Sequence, residues 1–204
     1  MTIRVIAYVD GYNLYYGLRT RGWRRFYWLN VQALVERLLR SGQTLVQTKY
    51  FTTVVEEPAD KQQRQAVFLE ALQTLPDFRI YYGHFFSNPV TCQRCGYTYK
   101  VHHEKMTDVN ITIEMLTDAF QDRFDMALLL SGDSDLTPVV RAVLNLFKHK
   151  RVIVVFPPER SSKSLKQAAS GYFHVNRPML LHSQFPDEII KPDGYVLRRP
   201  AEWQ

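Results

Sequence analysis

Apolar residues along this chain fall into two patterns. The first is the short, nearly unbroken run: "VIAYV" (5–9), "MALLL" (126–130) and "RVIVVF" (151–156) lack polar alternation, as expected of strands buried on both faces. "TKYFTTVV" (48–55) and "FRIYYGHFF" (78–86) are β-rich and read as further strands. The second is helical spacing. Asn30 caps a predicted helix through Val31, Leu34, Val35, Leu38 and Leu39, which Gly42 stops. Residues 59–75 carry Ala66, Leu69, Leu72 and Leu75 near that spacing, and 107–120 carry Val109, Ile113, Leu116 and Phe120. Leu136, Val139, Val140, Val143, Leu144 and Phe147 make a third such stripe, and "SSKSLKQAAS" predicts a short last helix. Between them "SNPVTCQRCGYTYKVHH" reads as a polar, turn-rich insertion at 87–104, and residues 177–204, with Pro178, Pro186, Pro192 and Pro200, as a mostly irregular extension.

Fully apolar strands separated by amphipathic helices predict an α/β fold: a three-layer α/β/α sandwich around a central, mostly parallel sheet. In such sheets the functional crevice lies beyond the carboxyl ends of the strands. With 204 residues, one domain over 1–176 with its insertion and extension suffices. A formal net charge of +6 suits an anionic partner such as nucleic acid without requiring one. There is no membrane-length apolar run, and neither a secretory signal nor a disulfide framework is expected, so the expected compartment is the cytoplasm.

The strand ends carry the chemistry. The first apolar strand terminates at Asp10, with Asn13 three residues on; "MALLL" runs into "SGDSD", supplying Ser131, Asp133 and Asp135. Asp108 opens the helix after the insertion, just beyond Lys105. Aspartates at such places commonly cap helices. Four together, two of them finishing buried strands, instead predict a carboxylate pit. Grouped acids repel, and hard cations such as Mg²⁺ or Mn²⁺ are their natural partners. Such a site can activate water against a phosphodiester.

In order along the chain, "VDGYNLYYGL", "EKMTDVNITIEML" and "LLLSGDSDLTPVVRAV" resemble the NYN domains of the PIN-like nuclease superfamily, and the likeness extends through "KRVIVVF" and "SKSLKQAASGYFHV", covering residues 3–176. The resemblance implies a PIN-like (Rossmann-like) fold and a metal-dependent ribonuclease. Asp10, Asp108, Asp133 and Asp135 match its acidic positions, as holders of Mg²⁺ or Mn²⁺. Asn13 and Ser131 match polar positions that orient the first acid or the phosphate, and Lys105 is a phosphate contact. Two positions depart from the pattern. Glu114 stands where an aspartate is expected, facing roughly 120° away from Asp108 around the helix, so it reaches a metal only through water. Ser170 and Gly171 stand where many relatives carry an acid.

Two features lie outside that pattern. Cys92 and Cys95, at C-x2-C spacing, with His102 nearby, are either half of a structural Zn²⁺ site or a pair of free thiols. "RTRGWRRFYW" interleaves Arg19, Arg21, Arg24 and Arg25 with Trp23, Phe26, Tyr27 and Trp28, a composition suited to holding RNA by phosphate contacts and base stacking. The competing readings are a haloacid-dehalogenase-type phosphatase, opposed by Tyr12 where a second aspartate is needed, and a non-catalytic RNA-binding module that keeps the fold.

Overall fold

The computed structural model describes residues 2–55 and 57–204, and for 84–89 and 99–105 the backbone alone. From the N-terminus run β1 (Ile3–Asp10), α1 (Gly11–Thr20), α2 (Val31–Glu36), β2 (Gln43–Thr52), α3 (Ala59–Gln73), β3 (Phe78–Tyr82), β4 (His84–Thr91) and β5 (Thr98–Lys105). Then come α4 (Thr107–Phe120), β6 (Met126–Leu130), α5 (Thr137–Leu146), β7 (Arg151–Phe156), α6 (Lys163–Ala168) and β8 (Gly171–His174). α7 (Arg177–Leu181) and the strands β9 (Glu188–Ile190) and β10 (Val196–Arg198) follow. No helix among the described residues is long and apolar enough to cross a membrane.

Six strands form one parallel sheet in the order β3-β2-β1-β6-β7-β8. The chain winds outward from β1 to β3, then returns past β1 to build β6, β7 and β8, so its direction reverses between β1 and β6. At such a switch point the loops leave in opposite directions and open a crevice at the carboxyl edge. Strand alternation divides the core between two faces. Val5, Ala7, Val9, Leu128, Leu130, Ile153 and Val155 pack with α1, α2 and α3, whereas Ile6, Tyr8, Leu129, Val152, Val154 and Phe156 pack with α4, α5 and α6. The expected three-layer α/β architecture is the one observed.

Several segments differ from their sequence reading. β2 spans Gln43–Thr52 where a strand over 48–55 is expected, and on α4 the expected stripe is largely exposed: Val109, Ile113 and Phe120 face outward, while Ile111, Met115 and Ala119 are buried against the sheet. The strand expected over 78–86 breaks at Gly83, whose N–H donates to Thr52 O and ends the pairing with β2; the chain then leaves the sheet. The insertion expected to be turn-rich is an antiparallel hairpin, β4 with β5. The extension after 176 is also more ordered than expected. β9 pairs with β10, and Phe185, Leu197 and Trp203 are buried in the core on the α1 side. Trp28 Nε1–H donates to Pro186 O at 2.7 Å, and prolines between these short pieces hide them from periodicity.

Candidate functional site

β1 ends on Asp10 and β6 on Leu130, and these neighbouring strands deliver Asp10 and Ser131 to the switch point. Asp10 is only 4% exposed. Its Oδ1 accepts the Asn13 N–H at 2.9 Å, capping α1, and its Oδ2 accepts the Ser131 hydroxyl at 2.9 Å. A buried carboxylate is tolerable when such donors satisfy it. The same Ser131 oxygen accepts the Asp133 N–H at 3.1 Å, and Asn13 Oδ1 accepts the Gly132 N–H at 2.9 Å. The two strand-end loops are therefore tied together twice, by one hydroxyl and by one amide.

Two glycines permit this closeness. A Cβ on Gly11 would lie 2.4 Å from the Tyr50 ring, and one on Gly132 would lie 2.8 Å from Arg160 Cβ and 3.0 Å from its carbonyl carbon. Tyr50 thus packs directly on the turn after Asp10. Burial, and next the Asp10 charge, push its hydroxyl well above the ordinary tyrosine range.

The remaining acids stand on other turns. Asp133 Oδ1 accepts the Asp135 N–H at 3.0 Å and caps the 134–136 turn, Asp135 itself is exposed, and Asp108 sits half-buried in the first turn of α4. Among the described residues no three His, Cys, Asp or Glu side chains are gathered as a ligand set. Asp133 caps its own loop, and Asp108 stands on a separate element, α4. Mg²⁺, however, is commonly held through one or two carboxylates with water and substrate phosphate. Asp10 and Asp133, brought to one edge through Ser131, are of that chemistry.

Glu114 is corrected. Its Oε2 is engaged by Lys49 Nζ at 2.7 Å and by the Tyr81 hydroxyl at 2.8 Å. Burial works to raise its pKa, but Lys49 and then Tyr81 outweigh that and hold it below its ordinary value. Lys49 is fully buried and also binds Asp118 at 2.5 Å; Asp118 in turn accepts from Tyr8 at 2.6 Å and Arg123 at 3.3 Å. Glu114 thus neutralises a buried lysine, and the charge that would attract a cation is already matched. The period-2 position of Lys49 inside "TKYFTT" was the available signal for this network, and a lysine within a buried strand always needs such partners.

The basic–aromatic segment separates. Phe26 and Trp28 are core residues, so they do not stack on a ligand as expected. Arg21 pairs with Glu159 at 2.7 Å, and Arg25 lies over the Phe26 ring. Arg24 and Tyr27 line a cavity together with Tyr15, Tyr50 and Phe68. The side chains of Lys105 and His102 lie outside the described residues. In the hairpin register Thr98 opposes Thr91, next to Cys92, and His102 opposes Ser87. Backbone amides of Arg94 and Cys95, then the Cys95 thiol, lower the pKa of Cys92.

Residues 4–180 match the NYN domain family. The chain is 27% identical, over an alignment of 246 positions covering 98% of it and 75% of the relative, to 6-hydroxy-3-succinoylpyridine 3-monooxygenase HspA of Pseudomonas putida. A crystal structure of VPA0982, a Vibrio parahaemolyticus protein of unknown function, superposes with a TM-score of 0.57 at 21% identity, covering 86% of this chain and 94% of that one.

Proposed function

Because the chain belongs to the NYN domain family, whose fold is nuclease-like, we propose that it is an endoribonuclease that hydrolyses RNA phosphodiester bonds with Mg²⁺ or Mn²⁺. One observation carries the reading: a buried carboxylate, Asp10, held on both oxygens by Asn13 N–H and Ser131 Oγ at the switch point of a parallel sheet. Asp10 and Asp133 would hold the ion, with Asp108 and Asp135 as further carboxylates at the edge; when bound, it neutralises phosphate charge and acidifies a water. Ser131 and Asn13 fix the orientation of the Asp10 carboxylate. Arg24 supplies a cation where RNA would pass.

Labelled single-stranded and structured RNA, incubated with Mn²⁺, Mg²⁺ or EDTA, tests the proposal alongside Asp10→Asn and Asp133→Asn. Metal-dependent cleavage lost in both variants is expected. Equal cleavage by wild type and variants removes Asp10 and Asp133 from the site. Binding without cleavage by a folded, metal-loaded wild type would favour an RNA-binding module. A second reading has one observation behind it: the monooxygenase relative is named for a pyridine substrate, so a small heteroaromatic acid is the competing ligand for this chain.

A further inference from the structure

Between α1, α3, the end of β2 and the 201–203 turn lies a cavity of about 650 Å³, within the range of small-molecule sites. Its walls are aromatic and contiguous. Tyr15 and Tyr27 have ring centres 5.1 Å apart, Tyr27 meets Trp203 edge-on at 5.7 Å, and Phe68 meets Trp203 and Tyr50 edge-on at 6.1 and 6.3 Å. Such walls offer both faces and edges to a planar guest.

The origin of this wall is helical spacing. Tyr12, Tyr15, Tyr16 and Arg19 recur at i, i+3, i+4 and i+7 on α1, while Gly11, Leu14 and Leu18 of the same helix are buried. The "DGYNLYYG" segment therefore serves two places: Asp10 and Asn13 build the acid network, and the tyrosines build the cavity. The two share Gly11 and Tyr50, so a ligand in the cavity lies beside the Asp10 edge.

The charged lining is unevenly satisfied. Arg64 binds both Asp60, at 2.6 Å, and Glu202, at 3.0 Å. Among the described residues no ion pair engages Arg19, Arg24 or Lys61, and Glu57 is the remaining acid of the lining. Arg19 lies over the Tyr16 ring at 5.5 Å. Arg24 and Arg19 also stand close enough to Tyr27 to oppose the rise in its hydroxyl pKa that burial and Tyr15 cause.

We propose that this cavity binds a planar aromatic ring carrying an anionic substituent, the ring among Tyr15, Tyr27 and Phe68 and the anion at Arg19, Arg24 and Lys61. Stacking supplies affinity without demanding one base or ring, and the cations select for charge. Two sources share this chemistry: an unpaired nucleotide of an RNA strand, or a free aromatic acid. In the first case the inference rests on the ribonuclease reading and places a nucleotide beside the reacting edge; in the second it stands apart from it.

Isothermal titration calorimetry of the whole chain with AMP, adenosine, nicotinate and a 5′-phosphorylated penta-adenylate tests the proposal. Saturable binding of AMP or nicotinate is expected, with adenosine weaker. Arg24→Glu and Tyr27→Ala, checked for folding by circular dichroism, should each weaken binding about tenfold or more, the equivalent of about 1.4 kcal/mol. Penta-adenylate binding tighter than AMP identifies the nucleic-acid source, and nicotinate alone identifies the small acid. Failure of both AMP and nicotinate to bind at millimolar concentration, or equal affinity for AMP and adenosine, overturns the proposal. Asp10→Asn abolishes cleavage on the ribonuclease reading but leaves this binding intact, so the two ideas fail separately.

Discussion

Ser131 does two jobs with one buried oxygen: it donates to Asp10 and accepts from the Asp133 N–H. Ser131→Ala leaves a buried carboxylate oxygen and a backbone amide each short of a partner, and should cost about 1–3 kcal/mol of stability by denaturant unfolding. On the ribonuclease reading it also lowers cleavage, because Asp10 is no longer held in one orientation. Gly11 tests close approach at the same edge. Gly11→Ala drives a methyl group to 2.4 Å from the Tyr50 ring and should destabilise by about 1–3 kcal/mol, with partial recovery in a Gly11→Ala/Tyr50→Leu double variant. Additive losses would show that the crowding is not between these two residues. Asp10, Asn13, Ser131 and Asp133 were all legible as residues of interest, because acids and amides ending apolar strands stand out. Which atoms meet was not legible, since Asn13 Oδ1 to Gly132 N spans 119 positions of sequence.

Elements are held in place by charged pins at two heights. Near the amino edge, Arg4 of β1 donates to both oxygens of Asp125 just before β6, at 2.7 Å to Oδ1 and 3.2 Å to Oδ2. The Arg4 side chain, and then its backbone N–H, hold the Asp125 carboxyl down at about 2. A carboxyl depressed on folding stabilises fully above its ordinary range and loses that contribution as pH falls through the folded value. Unfolding midpoints measured from pH 4 down to pH 2 should therefore fall, and less steeply in Asp125→Asn. Deeper in the sheet, Lys49 of β2 ties down α4 through Glu114 and Asp118. Lys49→Met strands two carboxylates, one of them fully buried, and should cost about 3–5 kcal/mol; adding Glu114→Gln and Asp118→Asn should recover much of it. An unchanged urea midpoint in Lys49→Met would contradict this assignment. At this scale the apolar runs located β1, β6 and β7 well, and helical stripes located α3 and α5; the span of α4 was legible but its buried face was not, since Val109, Ile113 and Phe120 are exposed and Ile111, Met115 and Ala119 are buried. The break at Gly83 was missed because "FRIYYGHFF" keeps one β-rich pattern across it, and β8 is only four residues long.

The whole molecule binds its C-terminal extension into the main core. Trp203 packs against Trp28 and Phe68 with ring centres 6.4 and 6.1 Å away, and Arg199 donates to the carbonyls of Arg25 and Trp203. Trp203→Ala should lower stability by about 3–5 kcal/mol, the range for truncating a buried aromatic, and weaken AMP binding at the cavity it borders. Loss of stability with unchanged binding would remove Trp203 from the cavity wall. The order of strands, and with it the switch point between β1 and β6, also belongs to this scale. Local sequence determined that β1 ends on Asp10, that β6 runs into "SGDSD", and that helices separate parallel strands, because periodicity and capping act over a few residues. Tertiary structure alone decided that Asp10 and Ser131 touch, that Glu114 serves Lys49, and that the motif's tyrosines face a cavity. Each of these depends on which elements become neighbours, a choice made by burial of whole faces and invisible to any local pattern.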